Sequence, residues 1–403
     1  MEILQDLRSR LGRLEQQHLY RTRRIVAGAC GPVMTVQGAD GPRSVLTFCS
    51  NDYLGLAAEP AVVTALAQGA RRLGAGSGAS PLISGHNLAH HRLEERFAAL
   101  QAPHIPACRA LFFGTGYLAN LSTLASLADR ETEIFSEELN HASLIDGIRL
   151  AAAQRRIYPH ADLAALEAML RASSARRKMI VTDAVFSMDG DLAPLPQLLG
   201  LARQHGAWLM VDDAHGFGLL GDRGRGSLAH FSLRSEHLVY VGTLGKALGV
   251  AGAFVAAHET VIEWLVQCAR PYIFSTAPPP ALAPALECAL DIVAGAQGDA
   301  LRAVLGERIA RLRAGLKLDP WRLLASSTPI QPIVIGDNAR TMALAAALWD
   351  QGLWIAGIRP PSVPEGTSRL RVTLSAAHTS EQVDRLVGAL NALAAVESGE
   401  END

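Results

Sequence analysis

The sequence predicts an α/β protein with a large, wound, mostly parallel sheet, followed by a smaller α+β unit. From about residue 59, helical runs alternate with short apolar strands, an order typical of a wound α/β sheet. These strands are apolar throughout rather than at every second position, as expected of parallel strands that are covered on both faces. After the proline cluster at 278–280, two long helical runs lead into scattered strands, which indicates a change of architecture.

The elements divide the chain into an N-terminal arm (1–50), a large α/β domain (51–291) and a small α+β domain (292–403). The arm opens with an amphipathic helix within 2–20, whose apolar residues recur at helical spacing. These residues are Ile3, Leu7, Leu11 and Leu14. Strand-like runs follow at 33–36 and 45–49. The arm is too short to fold alone, so we expect it to pack on the rest of the chain.

Each domain then has its own predicted elements. In the large domain, helices are predicted at 59–73, 88–101, 116–128, 142–153, 162–172 and 195–205. Strands are predicted there at 109–113, 133–136, 155–158, 178–183, 207–212 and 238–242. Two helical runs, about 281–296 and 299–315, lead into the small domain, which has strands near 331–335, 354–358 and 369–374 and a last helix from 380.

Composition excludes several classes of protein. The 403 residues are 49% hydrophobic and 19% charged, which suits a globular chain large enough for two or three packed units. A net charge of −2 without a basic block argues against nucleic-acid binding. No apolar stretch approaches the length of a membrane span, and the N-terminus lacks the apolar core of a secretory signal. Five cysteines without metal-ligand spacing favour a reduced, cytoplasmic protein.

Two strand ends carry the first candidates for chemistry. Asp212 ends a buried strand in VDDAHGFG (211–218), and His215 follows three residues later. Ligands of parallel α/β sheets bind at the carboxyl ends of strands. There, Asp212 could pair with the protonated pyridine nitrogen of pyridoxal 5′-phosphate (PLP), and His215 could bond its phenolic oxygen. Lys246, between glycines after another strand, would carry the cofactor as a Schiff base. A capping aspartate, a turn histidine and a surface lysine are the alternatives.

Three further positions would complete such a site. The Gly114–Gly116 turn leads from a strand into a helix, whose first N–H groups can bind a phosphate. His141 opens another helix, where an imidazole could stack on the pyridine ring. Ser187 lies just past a strand end, within reach of the ring oxygen or the phosphate. An ordinary β–α turn and a helix-capping histidine remain the alternatives. The pair His90–His91 is assigned to a solvated helix face, so no metal site is predicted.

Taken together, these segments resemble the α-oxoamine synthases, which are PLP enzymes of fold type I. The resemblance covers nearly the whole chain in order. It runs through SNDYLGL (50–56), GSGASPLISGH (76–86), GTGYLAN (114–120), NHASL (140–144), VFSMDGD (185–191), VDDAHGFG (211–218), GTLGKALG (242–249), STAPPP (275–280) and IRPPSVPEGTSRLRVTLSAAH (358–378). It implies a homodimer with active sites between the two subunits.

The resemblance also implies a role for each site residue. Lys246 holds the cofactor, Asp212 faces the pyridine nitrogen, His215 faces the phenolic oxygen and His141 stacks on the ring. The other implied cofactor contacts are Gly116, Tyr117, Ser187, Thr243 and, towards the phosphate of the neighbouring subunit, Thr276. The implied substrate contacts are Arg359, for the amino-acid carboxylate, together with Arg21, Asn51 and Ser362.

The segment 358–378 points to the branch that condenses L-alanine with a pimeloyl thioester, carried by coenzyme A or by acyl-carrier protein, with loss of carbon dioxide. A sister synthase that uses glycine shares every cofactor residue and stays open as an alternative. A non-catalytic partner subunit with the same fold is a second one. Two positions depart from the family pattern. Ser362 stands where threonine is frequent, and Asp183 stands where glutamate is common, which retracts the carboxylate by one methylene.

Overall fold

The computed structural model describes residues 3–38 and 41–399, and the chain divides into two compact units. The first unit runs to Gly55, takes in Met188–Asp191 and resumes at Leu301. The second unit consists of Leu56–Ser187 and Leu192–Ala300. The divisions at 55/56 and 300/301 differ from the predicted ones at 50/51 and 291/292, and the arm is grouped with the C-terminal region.

The elements are numbered in chain order. The helices are α1 (Ile3–Gln16), α2 (Pro60–Leu73), α3 (Leu88–Gln101), α4 (Gly116–Leu127), α5 (Ala142–Leu150), α6 (Leu163–Ala172), α7 (Leu195–Gln204), α8 (Ser227–His230), α9 (Glu259–Cys268), α10 (Arg270–Phe274), α11 (Leu282–Ala294), α12 (Ala296–Gly315), α13 (Asn338–Asp350) and α14 (Ser380–Ser398). The strands are β1 (Ile25–Ala27), β2 (Val33–Gly38), β3 (Gly41–Thr47), β4 (Cys108–Phe113), β5 (Thr132–Glu137), β6 (Gln154–Tyr158), β7 (Arg177–Asp183), β8 (Ala207–Asp212), β9 (Leu238–Thr243), β10 (Ala253–His258), β11 (Arg322–Leu323), β12 (Ile330–Gly336), β13 (Leu353–Trp354), β14 (Ala356–Ile358) and β15 (Ser368–Thr373).

A seven-stranded sheet in the order β4–β10–β9–β8–β7–β5–β6 organises the second unit. From β9 to β6 the neighbouring strands are parallel, whereas β10 runs antiparallel to both β4 and β9. The predicted wound, mostly parallel α/β sheet is therefore confirmed. The sequence did not predict β10, because its short apolar run follows directly on a glycine-rich loop.

The apolar runs of this sheet form its core. Ile180, Val181, Leu209, Met210 and Val239 are 0% exposed. Because consecutive strand residues point to opposite faces, their burial shows that both faces are covered. Burying each such side chain contributes about 1.5–3 kcal/mol. This core holds the strand ends, and the polar residues on them, in fixed positions.

Capping side chains decide where the helices that follow the strands begin. Thr115 and Asp162 accept hydrogen bonds from backbone N–H groups in the first turns of α4 and α6, and Asn87 caps α3 in the same way. Such caps satisfy donors that the helix itself cannot use. At the start of α4, the cap satisfies the N–H of Leu118.

The first unit contains two four-stranded sheets, β1–β2–β3–β13 and β11–β12–β15–β14. Strand β3 of the arm pairs in parallel with β13, so the arm shares a sheet with the C-terminal region. Helix α1 buries none of its residues within this unit. No helix in the described part of the chain has the length and apolar character that crossing a membrane requires.

Candidate active site

Acidic residues collect at one edge of the seven-stranded sheet, where β5, β7, β8 and β9 end; we call it the carboxyl edge. Asp183 and Asp212 end β7 and β8 and lie side by side in register, and Asp213 follows. All three side chains are at most 3% exposed. An ionised carboxylate is costly to bury without partners, so the contacts of each acid decide what it can do.

Two hydrogen bonds orient the carboxylate of Asp212. Its Oδ1 accepts from the N–H of Ala214 at 2.9 Å, and its Oδ2 accepts from Asn120 Nδ2 at 2.5 Å. Charge-assisted bonds of this kind are shorter and stronger than neutral ones. The carboxyl group of Asp212 is therefore held in one orientation at the end of β8, as the pairing with a pyridinium N–H requires.

A hydrogen-bonded chain connects Asp212 to His141. Asn120 also donates to Ser143 Oγ at 2.8 Å, and Ser143 Oγ bonds His141 Nδ1 at 2.7 Å. The backbone N–H of His141 in turn donates to Asp183 Oδ2 at 2.7 Å. The network thus joins α4, α5 and β7 around the two acids at the sheet edge.

Sequence reasoning missed Asn120, Ser143 and the network role of Asp183. The first two lie inside GTGYLAN and NHASL, the segments that carried the family resemblance. Nothing local marks an amide in a helix interior as functional. Only the tertiary structure shows that Asn120 contacts an acid that lies 92 residues further along the chain, at the end of β8.

Electrostatic interactions bring Lys246 into the same group. Burial lowers the pKa of His141, the negative charge of Asp212 raises it, and the charge of Lys246 lowers it further. Burial and then the charge of Asp212 raise the pKa of Asp183 well above its ordinary value, against the opposing effects of the His141 N–H and Lys246. The imidazole of His141, although accessible to solvent, is therefore held towards its neutral form, and Asp183 resists ionisation.

Asp213 has a separate role from that of Asp212. Its Oδ2 accepts from Tyr240 Oη at 2.7 Å and from the N–H of Ser227 at 2.6 Å. Burial, only partly offset by these bonds, raises the pKa of Asp213 to about 7. The two aspartates are neighbours in the sequence, whereas the structure turns Asp213 inwards to hold the segment at Ser227.

The predicted phosphate turn lies at the same edge. A Cβ atom on Gly116 would stand 2.7 Å from Thr243 Oγ1, so only glycine allows the start of α4 to approach the end of β9 so closely. The helix N-terminus presents N–H groups and a partial positive charge. Tyr117 follows, with its phenol 41% exposed and donating to Asp146. The structure therefore brings Gly116, Tyr117 and Thr243 together.

A tight turn presents Lys246. The N–H of Gly249 donates to the carbonyl of Lys246 at 2.9 Å. Gly249 has φ +68°, and a Cβ there would lie 2.3 Å from the backbone nitrogen of Ala57. Any other residue at position 249 would displace the turn, which explains the glycine three residues after Lys246.

The other predicted cofactor residues lie in three places. His215 is buried in the turn after Asp212, and Ser187 is half-buried after β7. Thr276 is exposed beyond α10, next to Ala277, whose N–H donates to the carbonyl of Ala79 at 2.9 Å. Their contacts with a cofactor remain predictions.

The predicted substrate residues lie in the first unit. Arg359 donates to the carbonyl of His18. Burial, and then the positive charge of Arg21, lowers the pKa of Arg359, so the structure brings these two guanidinium groups near each other. Two neighbouring cations repel until an anion lies between them, which suits a carboxylate. The N–H of Ser362 donates to the carbonyl of Arg359 at 3.1 Å.

Asn51 is used internally. Its Oδ1 accepts from Arg371 at 3.2 and 3.3 Å and from Tyr53 Oη at 3.2 Å. Three donors occupy this oxygen, so only the amide nitrogen of Asn51 remains suitable for a substrate contact. Its role in substrate binding therefore stays a prediction.

The carboxyl edge of the second unit fits PLP. It combines a fixed carboxylate, an accessible imidazole, a lysine on a turn and an N-terminal helix turn for a phosphate. Asn120 Oδ1 is also buried without a hydrogen-bond partner among the described residues, an unsatisfied acceptor of the kind that structures keep at functional sites.

Fold and site together define a PLP-dependent transferase of fold type I. The family model for aminotransferase class I and II matches residues 43–390. A serine palmitoyltransferase variant from S. paucimobilis, solved with a bound PLP–myriocin aldimine, is similar over 100% of both chains, with a TM-score of 0.89 and 26% identity. The 8-amino-7-oxononanoate synthase from Francisella tularensis has a TM-score of 0.74 and 29% identity, over 88% of this chain and 99% of that one.

One relative specifies the branch. The 8-amino-7-oxononanoate synthase from Janthinobacterium sp. (strain Marseille) is 59% identical over 392 residues, which cover 97% of this chain and 98% of the relative. The chain therefore belongs to the class I and II aminotransferase family and, within it, to the 8-amino-7-oxononanoate synthases. The family resemblance predicted from the sequence motifs is confirmed.

Proposed function

We propose that the chain condenses L-alanine with a pimeloyl thioester, giving 8-amino-7-oxononanoate, carbon dioxide and a free thiol. The observation that carries this proposal is the network of Asp212, Asn120, Ser143 and His141 close to Lys246, in a chain 59% identical to an 8-amino-7-oxononanoate synthase. The reaction would belong to biotin synthesis in the cytoplasm, and the enzyme would act as a PLP-dependent acyltransferase.

When bound, PLP supplies an electron sink for the electron pair left on the amino-acid Cα. Asp212 would hold the proton on the pyridine nitrogen, since two hydrogen bonds keep its carboxylate in place. Lys246 Nζ would hold the cofactor aldehyde until the alanine amine replaces it. The released amine would then remove the Cα proton of alanine.

The remaining steps form one carbon–carbon bond and break one carbon–sulfur and one carbon–carbon bond. The alanine Cα bonds to the thioester carbonyl carbon, and the thiolate leaves and takes a proton. The alanine carboxylate then leaves as carbon dioxide, and Cα takes a proton in its place. Lys246 and His141 are the two candidate donors for that proton. Because burial lowers the pKa of His141, its imidazole is held towards the neutral form and would first take up the proton that it returns to Cα.

Arg359, supported by Arg21, would hold the carboxylate of alanine. A guanidinium can make two parallel hydrogen bonds to a carboxylate, which fixes its direction. Gly116, Tyr117, Ser187 and Thr243 would hold the phosphate and ring, and His215 the phenolic oxygen. In the proposed homodimer, Thr276 would reach the phosphate in the neighbouring subunit. Ser362 would support the turn that carries Arg359.

An absorbance titration tests the function. The purified protein is loaded with PLP and mixed with pimeloyl-CoA, then with L-alanine or glycine, while free thiol and product mass are measured. A band that shifts with alanine, with release of one thiol per 8-amino-7-oxononanoate formed, supports the proposal. Turnover with glycine alone would move the chain to a sister synthase. No cofactor band after loading would favour a non-catalytic partner subunit.

A second measurement tests the carboxylate site. Arg359→Ala should raise the Michaelis constant for alanine by about 10²-fold, the scale of one lost charge-assisted pair, and change that for pimeloyl-CoA little. Arg322→Ala removes an exposed guanidinium that is not among the predicted site residues; it is the matched control and should have a small effect. Equal increases for both substrates would show that Arg359 does not bind alanine. Repeating the assay with pimeloyl-acyl-carrier protein identifies the acyl donor.

A further inference from the structure

Three side chains with metal-binding atoms converge near the start of α3, and none of them is assigned to catalysis. They are His86 in the preceding loop, and His91 and Glu94 on the helix. One ligand atom from each lies within 4.8 Å of those from the other two. His86 Nε2 is 2.9 Å from Glu94 Oε2, and the His86 and His91 rings meet edge to face at 5.9 Å between centroids.

The structure orients the carboxylate of Glu94 in advance. Glu94 is buried, and its Oε1 accepts from the backbone N–H of Phe112 in β4 at 2.9 Å. That bond leaves Oε2 directed at His86. Metal-binding carboxylates commonly have a second hydrogen bond of this kind, which fixes their orientation and improves affinity.

Helical geometry separates the two neighbouring histidines. His90 is 2% exposed, and its Nδ1 accepts from the N–H of Asn87 as part of the α3 capping box. His91 points to solvent, with a half-exposed side chain. Because His91 and Glu94 are three residues apart, they lie on the same face of the helix. The sequence assigned the pair His90–His91 to one solvated face, and the structure shows that only His91 lies there.

The donors suit a transition metal. Two imidazoles and a carboxylate form a typical three-ligand set for zinc, with a fourth position open to water. Ligand atoms of a tetrahedral zinc site lie about 3.3 Å apart, as bond lengths near 2.0–2.1 Å require. His86 and Glu94 are already closer than this, so the exposed ring of His91 would supply most of the movement. Calcium and magnesium prefer oxygen ligands and fit this set poorly.

We infer that His86, His91 and Glu94 form a binding site for one divalent transition metal of the zinc class. Its formation would replace the His86–Glu94 hydrogen bond with two metal–ligand bonds and recruit His91 as the third. The inference does not depend on the proposed reaction, since none of its ligands is assigned to PLP or substrate.

Zinc titration of the PLP-loaded protein tests the inference, with a chromogenic zinc indicator as competitor and no affinity tag on the chain. The wild type should bind one zinc ion per chain at this site, and His91→Ala should weaken that binding at least about tenfold. His230→Ala removes another exposed histidine and is the matched control, whose affinity should equal that of the wild type. His86→Ala should reproduce the loss seen for His91→Ala.

Cobalt(II) provides an independent readout. The wild type should give the intense visible bands of four-coordinate cobalt, and His91→Ala should not. Unchanged zinc affinity in both His86→Ala and His91→Ala would overturn the inference, as would an equal loss in His230→Ala. Zinc bound to PLP itself would persist in all variants and is thereby separated from this site.

Discussion

The two edges of the seven-stranded sheet carry similar charged residues in different surroundings. At the carboxyl edge, Asp183 and Asp212 are buried and share a network with His141. At the opposite edge, where β5 and β7 begin, Arg177 pairs with Asp129 and with Glu131, and all of these side chains are between 45% and 54% exposed. We call this the amino edge.

Burial separates the behaviour of the two edges. Hydrogen bonds lower the pKa of the exposed Asp129, whereas burial raises that of Asp183 well above its ordinary value. Water screens exposed ion pairs, which therefore contribute little to stability. Buried charged groups interact strongly, so their pKa values move apart. Acid–base catalysis depends on such differences between neighbouring groups.

Cavity volume alone does not identify which edge of the sheet is catalytic. A cavity of about 950 Å³ lies at the amino edge, lined by Trp208, Trp264, His237 and Lys178 among others. Its lining combines two tryptophans with charged side chains, among them the Arg109–Glu263 pair. The position of the reactive groups, rather than the volume of the cavity, locates the catalytic edge.

The largest expected difference is between replacing the lysine at the carboxyl edge and replacing the lysine at the amino edge. Lys246→Ala should lower turnover by about 10⁴-fold or more, since it removes both the cofactor attachment and the proposed base. Lys178→Ala, at the amino edge, should keep wild-type turnover. The measurements are the cofactor absorbance and product formation. A Schiff-base band that persists in Lys246→Ala would show that another residue carries PLP.

Replacing one acid at each edge should give the next largest difference. Asp212→Asn should retain PLP but lower kcat by about 10²- to 10³-fold, the scale of losing one preorganised electrostatic contact. Asp129→Asn should leave kcat unchanged. The assay is single-turnover kinetics of PLP-loaded protein with alanine and pimeloyl-CoA. Normal turnover in Asp212→Asn would contradict the electron-sink role of this residue.

Asn120→Ala tests whether the buried network matters. Asn120 would act as a positioning residue, since it contacts Asp212 and Ser143 rather than the reacting atoms. We expect kcat to fall about tenfold, with little change in the Michaelis constant for alanine. The cofactor spectrum should also acquire an altered pH dependence, because Asp212 loses a donor. Asn120→Asp is not a suitable control, as it adds a charge, whereas Ser143→Ala should give a smaller loss of the same kind.

The smallest expected effect concerns stability against pH. The pKa of Asp213 is raised to about 7 in the folded chain, from 3.8 in the unfolded one. Between pH 3.8 and about pH 7, Asp213 is protonated in the folded chain and ionised in the unfolded one. Raising the pH through this range therefore lowers the free energy of unfolding, by at most about 1.4 kcal/mol per pH unit. Above pH 7 the loss is complete.

Denaturant unfolding of the wild type and Asp213→Asn at several pH values isolates that contribution. The free energy of unfolding of the wild type, minus that of the variant, should decrease from pH 4 to pH 7 and then level off. A constant difference across this range would show that Asp213 does not titrate there. Arg177→Gln, at the amino edge, provides the comparison and should show no such trend in that range.

Most elements of the second unit could be predicted from the sequence, because each one carries its own local signal. Helix α4, for example, begins where Thr115 caps it, and β8 is an apolar run that ends in Asp212. Strand β10 could not be predicted in the same way, since its antiparallel place between β4 and β9 depends on pairing partners elsewhere in the chain. The grouping of the arm with β13 has the same origin.

The sequence alone determined the chemical inventory of this protein: a lysine, an aspartate and a histidine at strand ends, a glycine turn before a helix, and the family to which they belong. These signals are local, because strand, turn and helix follow one another along the chain. Only the tertiary structure decided which groups act together. Asn120 contacts Asp212, 92 residues away, and Ser143, 23 residues away. Asp213 turns away from its neighbour Asp212. His86 forms a hydrogen bond with Glu94, whereas His90 does not. Such contacts depend on strand order and helix packing, and burial then sets the proton affinities that sequence patterns do not contain.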